Sequence, residues 1–167
     1  EQNYNCVKSL KELAGLVQSL MKCREIAIDT ETTSVDPLQC GLVGISLCGK
    51  AGEAWYIPLG HSMLGSINMP PKEAIALLKQ LFESPDVQKS GQNIKFDSHV
   101  LNRRGIDVSP ISFDTMIASY VLNPSGRQHG LDDLALRHLD YRMQPITDLI
   151  GSGKSQRTFD TVPVDKA

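Results

Sequence analysis

Asp29 and Glu31 stand one residue apart at the end of the apolar run Ile26-Ala27-Ile28, in a turn also rich in hydroxyls: Thr30, Thr32, Thr33 and Ser34. Side chains alternate faces along a strand, so residues i and i+2 share one, and both carboxylates aim at the same spot. Two like charges that close raise each other's pKa unless a cation lies between them, so the pair reads first as a divalent-metal site. A third acid, Asp97, follows Gly91-Gln92-Asn93-Ile94-Lys95-Phe96 near a predicted strand-to-helix junction. Each acid alone has an ordinary explanation, a polar strand end or a helix cap. Only the combination is specific.

A competing chemistry for the first pair is the aspartyl-nucleophile phosphatase pattern, in which a strand-end Asp attacks phosphorus and an acid two residues on protonates the leaving group. Here the second acid is the longer Glu, and no convincing Lys and downstream Asp-Asp pair follows a later strand.

The elements that must hold these residues follow from periodicity. Leu10, Leu13, Leu16, Val17 and Leu20 share one face of a helix predicted from Ser9 to Lys22, with Ser9 and Glu12 as its capping pair. Strands are predicted at Glu25 to Asp29, Leu42 to Leu47 and Ala54 to Pro58; short connections make them an antiparallel meander. A loop leads to Pro71, where a helix runs to Glu83 and stops at Ser84-Pro85. Val87 to Ser90 reads as a strand, a helix carries the chain to Arg104 with Gly105 as its stop, and Ile111 to Phe113 is a further strand. Asp114 caps a helix through Leu122, Leu131 to Leu139 forms another, and beyond Tyr141 the pattern dissolves. The sum is an α/β domain: a mixed sheet, the meander plus parallel strands, with helices on both faces and its acids at strand ends.

The whole chain sets outer limits. Its 167 residues, 41% hydrophobic and 22% charged, suit one domain with a real core. A net charge of -2 supplies no general basic field, so any nucleic-acid contact has to be local. Cys6, Cys23, Cys40 and Cys48 lack zinc-site spacing and read as scattered reduced thiols. No apolar run is long enough to span a membrane, and the start Glu1-Gln2-Asn3-Tyr4 is not a secretory signal, so the expectation is a soluble intracellular protein without a membrane partner.

Asp29-x-Glu31, Asn93-x-x-x-Asp97 and Asp114-Thr115-Met116, together with Tyr56-Ile57-Pro58, Gly91-Gln92-Asn93, Leu122-Asn123 and Thr158-Phe159, resemble the proofreading 3′-5′ exonuclease domain of bacterial family A DNA polymerases, in the DEDD exonuclease group. The likeness extends over nearly the whole chain. Ribonuclease D-like enzymes share the first two motifs; Gly91-Gln92-Asn93 and Thr158-Phe159 favour the polymerase side. The resemblance implies an RNase H-like fold, a bacterial cytoplasmic location, and hydrolysis of the 3′-terminal phosphodiester of single-stranded or mismatched DNA. It implies two divalent ions, Mg2+ or Mn2+, about 3.5–4 Å apart. Asp29 would bridge both, Glu31 would hold the ion that binds the attacking water, and Asp97 would serve the second through water. Substrate contacts would come from Thr32, Val35, Gln92, Asn93, Lys95 and Phe96. Val35 stands where relatives often have a larger leucine wedge, and Phe96 replaces a common tyrosine. The single-stranded DNA 3′ end would be delivered by the polymerase domain of the same parent chain.

The family's third motif, a Tyr followed four residues later by Asp, has no counterpart between Glu1 and Ala167. The expectation is one exonuclease domain over 1–167, C-terminally incomplete, a fragment of a longer polymerase or a variant lacking the motif, and weakly active or inactive alone. A catalytically silent module that binds DNA ends is the non-enzyme reading, and retention of Asp29, Glu31 and Asp97 argues against it.

Overall fold

Six strands form one mixed sheet in the computed structural model, which describes residues 3–167; Glu1 and Gln2, the start of the N-terminal run, lie outside the described residues. The sheet order is β1-β4-β3-β2-β5-β6, built from β1 (Asn3–Cys6), β2 (Glu25–Thr32), β3 (Leu42–Lys50), β4 (Glu53–Pro58), β5 (Gln88–Gly91) and β6 (Ile111–Asp114). β2, β3 and β4 are the antiparallel meander, Asp29 opposite Ser46 and Leu47 opposite Trp55. β5 joins β2 in parallel, β6 joins β5, and β1 lies parallel to β4 at the far edge. β1 is an addition to the sequence expectation: Asn3-Tyr4-Asn5-Cys6 alternates polar and apolar over only four residues, too short to read alone, and becomes a strand through its partner β4.

One face of the sheet is thoroughly buried. Helix α1 (Leu10–Leu20), α2 (Pro71–Phe82) and α3 (Ile94–Asn102) supply Leu13, Leu16, Leu78, Leu81 and Leu101 to a core that includes Ile26, Ile28, Ile45 and Ile57. α1 starts as its capping residues predict: Ser9 Oγ accepts from the Glu12 N–H at 3.2 Å, and the Glu12 carboxylate accepts from the Lys8 N–H at 2.7 Å. The opposite face is covered less. Phe159 and Val162 pack on Val43, Leu131 at the start of α5 (Leu131–Leu139) lies near Phe113 and Ala27, and Ala27 and Asp29 stay exposed. α4 (Thr115–Leu122) packs against α5 beyond the β6 edge.

The tail after Tyr141 is structured. It contains α6 (Ile146–Ile150) and short 3-10 turns at Gly153–Ser155 and Phe159–Thr161. Elements this short carry no readable period; long-range contacts hold them instead.

Candidate active site

β2 and α3 build the floor of a cleft at the C-terminal end of β2. Ile26, Ile28 and Thr30 point to the buried face, leaving Asp29 and Glu31 together on the other. α3 packs on the buried face and sends Asp97 to the strand end, where its Oδ1 accepts from the Thr30 N–H at 2.8 Å and the Thr30 hydroxyl at 2.6 Å. Asp29, Glu31 and Asp97 thereby line one cleft.

Asp114 fixes where α3 begins. Its carboxylate caps α4, accepting from the Met116 and Ile117 N–H groups at 2.9 and 3.2 Å, and also accepts from the Asn93 and Ile94 N–H groups at 3.1 and 2.9 Å. One buried side chain thus serves the first turns of two helices, where orphan donors and the dipole favour an anion. Asn93 turns into α3 with φ 55°. Just before it, Gly91 allows close approach to β2, since a Cβ there would lie 2.9 Å from the Ile28 carbonyl oxygen.

Electrostatics mark the floor as a place that wants positive charge. Burial, then repulsion from Asp29 and Asp97, pushes the Glu31 carboxyl up to about 7. Asp97 is also pushed to about 7, by burial and by Asp29, against the lowering effect of the Thr30 hydrogen bonds. Asp29 keeps solvent contact, yet the walls around it desolvate its carboxyl enough to raise it, with the Thr30 backbone opposing. A hard, all-oxygen donor set with mutual repulsion fits divalent ions such as Mg2+ or Mn2+. Among the described residues no three acidic, His or Cys side chains already stand at metal-ligand spacing. The acids are gathered but not drawn together, and Asp97 spends one oxygen on Thr30.

The cleft has a volume of about 740 Å³. Of the substrate residues expected from sequence, Thr32, Val35, Gln92, Asn93 and Phe96 line it, and Val35 is 94% exposed at its lip. Lys95 is exposed on α3 and is not part of the lining. Two of the others have side chains partly engaged: the Thr32 hydroxyl donates to the Ser34 carbonyl at 2.8 Å, while Gln92 accepts from Thr115 and donates to the His129 carbonyl at 2.8 Å. The far wall runs from Ile146 and Ile150 to Arg157, Thr158 and Phe159, outside the site residues that the sequence points to. Its one sequence signal is Thr158-Phe159.

A buried clasp holds that wall. His61 is 5% exposed; its Nδ1 donates to the Val162 carbonyl at 2.8 Å, so in the neutral ring Nε2 accepts from the Tyr56 hydroxyl at 2.7 Å. The Ser62 N–H donates to the Asp160 carbonyl at 2.8 Å beside it. The Tyr56 ring fits only because residue 44 is glycine, where a Cβ would fall 2.0 Å from the phenol oxygen. Burial and the nearby Glu31 charge raise the Tyr56 pKa, so the phenol stays neutral.

Residues 4–160 match a protein family described as 3′-5′ exonuclease. The chain is 36% identical to DNA polymerase I of Pseudomonas aeruginosa over 100% of its own length and 19% of that protein, and 40% identical to DNA polymerase I of Chloroflexus aurantiacus over 96% of its own length and 17% of that protein. The chain thus spans less than a fifth of either relative. The crystal structure of Escherichia coli RNase D, an exoribonuclease involved in structured RNA processing, shares the fold at a TM-score of 0.65 and 19% identity, over 86% of this chain and 35% of that one.

Proposed function

This chain belongs to the 3′-5′ exonuclease family, and we propose that it is the exonuclease domain of a DNA polymerase I like the relatives it matches and that it proofreads, removing the 3′-terminal nucleotide of single-stranded or frayed DNA. The observation that carries the reading is the convergence of Asp29, Glu31 and Asp97 in one cleft, Asp97 anchored by Thr30. Two divalent ions held by those acids would lower the pKa of the attacking water and neutralise charge at the scissile phosphate. Thr30 keeps Asp97 from swinging away, Asn93 and Gln92 border the reacting end, and Val35 offers its exposed apolar surface to the last bases. A mismatched end costs less to unpair than a matched one, which gives proofreading its selectivity. A polymerase domain in the same parent chain would deliver the strand, in the bacterial cytoplasm. Among the described residues no helix is long and apolar enough to cross a membrane.

The test uses 5′-labelled single-stranded DNA and RNA of one sequence with Mn2+. DNA is expected to shorten from its 3′ end, slowly because this stretch supplies three carboxylates without a Tyr-x-x-x-Asp pair, and Asp29→Ala should stop it. Calorimetry should show saturable Mn2+ binding that Glu31→Ala removes. Shortening that survives Asp29→Ala, a preference for RNA, or neither cleavage nor Mn2+ binding overturns the reading.

A further inference from the structure

Four charged residues line the cleft: Asp29, Glu31, Asp97 and Arg157. Arg157 sits on the far wall, where its backbone N–H donates to the Ile150 carbonyl at 2.8 Å. That bond closes a tight loop in which Gly151 and Gly153 take positive φ, 77° and 59°. The residue is thereby tied to α6 while its side chain remains exposed.

Its guanidinium is unengaged. The Arg157 side chain has no hydrogen-bond partner among the described residues, and among the arginines it is the one that lines this cleft. It also makes no ion pair with the acids of its own cleft; the salt bridge among the described residues is Lys79 with Glu83. A cation and three carboxylates therefore share a cleft without neutralising one another, an arrangement suited to an anion placed between wall and floor. A guanidinium offers a planar fork of donors that matches phosphate oxygens.

Resting on the nuclease reading of this cleft, we propose that Arg157 is a substrate-positioning residue that holds a non-bridging oxygen of an internucleotide phosphate next to the scissile one. The scissile phosphate belongs on the floor with the carboxylates; Arg157, on the far wall, makes no ion pair with them, so it is assigned a neighbouring phosphate. The contact supplies locally the positive charge that a chain of net charge -2 lacks overall. Lys95, the basic residue that sequence pointed to, lies off the cleft lining.

The test is binding of a 5′-fluorescent oligothymidylate to the 167-residue chain in Mg2+, read by anisotropy over a salt series, with the terminal linkage a phosphorothioate to slow cleavage. Arg157→Ala should weaken binding about tenfold, the low end for a charge-assisted contact, and flatten the salt dependence by about 0.7 in log-log slope. Arg157→Lys should keep the slope and lose part of the affinity. In a set of oligonucleotides each carrying one neutral methylphosphonate, the wild type should lose affinity at one internal linkage where Arg157→Ala loses none. Equal affinity, slope and linkage profile for wild type and Arg157→Ala, with wild type binding well, overturns this assignment and leaves the nuclease reading standing. No saturable binding by wild type overturns both.

Discussion

Thr30 is the residue on which the acidic site turns, and strand alternation hides it. Asp29 and Glu31 can be found from sequence because a buried run ends in two acids with the same facing; Thr30 sits between them and points into the core. Asp97 comes to the strand end from that buried side, so the third acid joins the first two through the Thr30 N–H and hydroxyl at 2.8 and 2.6 Å. Thr30→Val keeps the shape and the backbone bond while deleting the hydroxyl. The expected result is a fall of about tenfold in Mn2+ affinity, the size seen when a ligand loses its supporting hydrogen bond, measured by calorimetry with little change in the far-ultraviolet circular dichroism spectrum. Unchanged Mn2+ affinity would mean that the backbone bond alone sets Asp97.

Among elements, α3 and α4 start as a pair because Asp114 serves both. Its role at α4 is legible, since a strand followed by Asp-Thr and an apolar helix is an ordinary N-cap pattern. Its role at α3 is not, because Asn93 and Ile94 lie 21 and 20 residues back and only the β5-β6 pairing brings them near. Asp114→Ala strips an acceptor from four N–H groups and should cost about 2–3 kcal/mol in urea unfolding. It should also weaken Mn2+ binding, since α3 carries Asp97; a loss of stability with intact Mn2+ affinity would separate cap from site. The meander, α1 and α2 read easily because apolar period and capping residues agree with the packing that forms. β1 and the wall from α6 to Thr161 do not, because tertiary partners rather than local pattern make them: β4 for Asn3–Cys6, and Val43 with His61 for the segment around Phe159 and Val162.

Over the whole molecule, one buried charge stands apart from the active site. Lys89 on β5 is fully buried, its ammonium donating to the Ser84 and Ser109 carbonyls at 2.8 and 2.6 Å, and burial lowers its pKa from 10.5 to about 8. Sequence would place a lysine outside; here two carbonyls left free by adjoining loops take it in. Between about pH 8 and 10.5 the unfolded chain still holds a proton that the folded chain has released, so this group's contribution to stability rises with pH across that window. Urea unfolding at about pH 7.5 and 9.5 should show wild type gaining on Lys89→Met as pH rises; a constant gap would mean the ammonium stays charged in the fold. The cleft itself joins distant parts of the chain, its floor from β2 in the first third and α3 in the middle third, and its wall from the last quarter. The His61 to Val162 bond spans 101 residues, and closing a loop that long costs about 4 kcal/mol of chain entropy by the logarithmic law. Assembly therefore has an order in time. A chain emerging from its N-terminus presents the acids on β2 well before Arg157 and Phe159 exist to face them, so the site begins as an open bowl and gains its far side last.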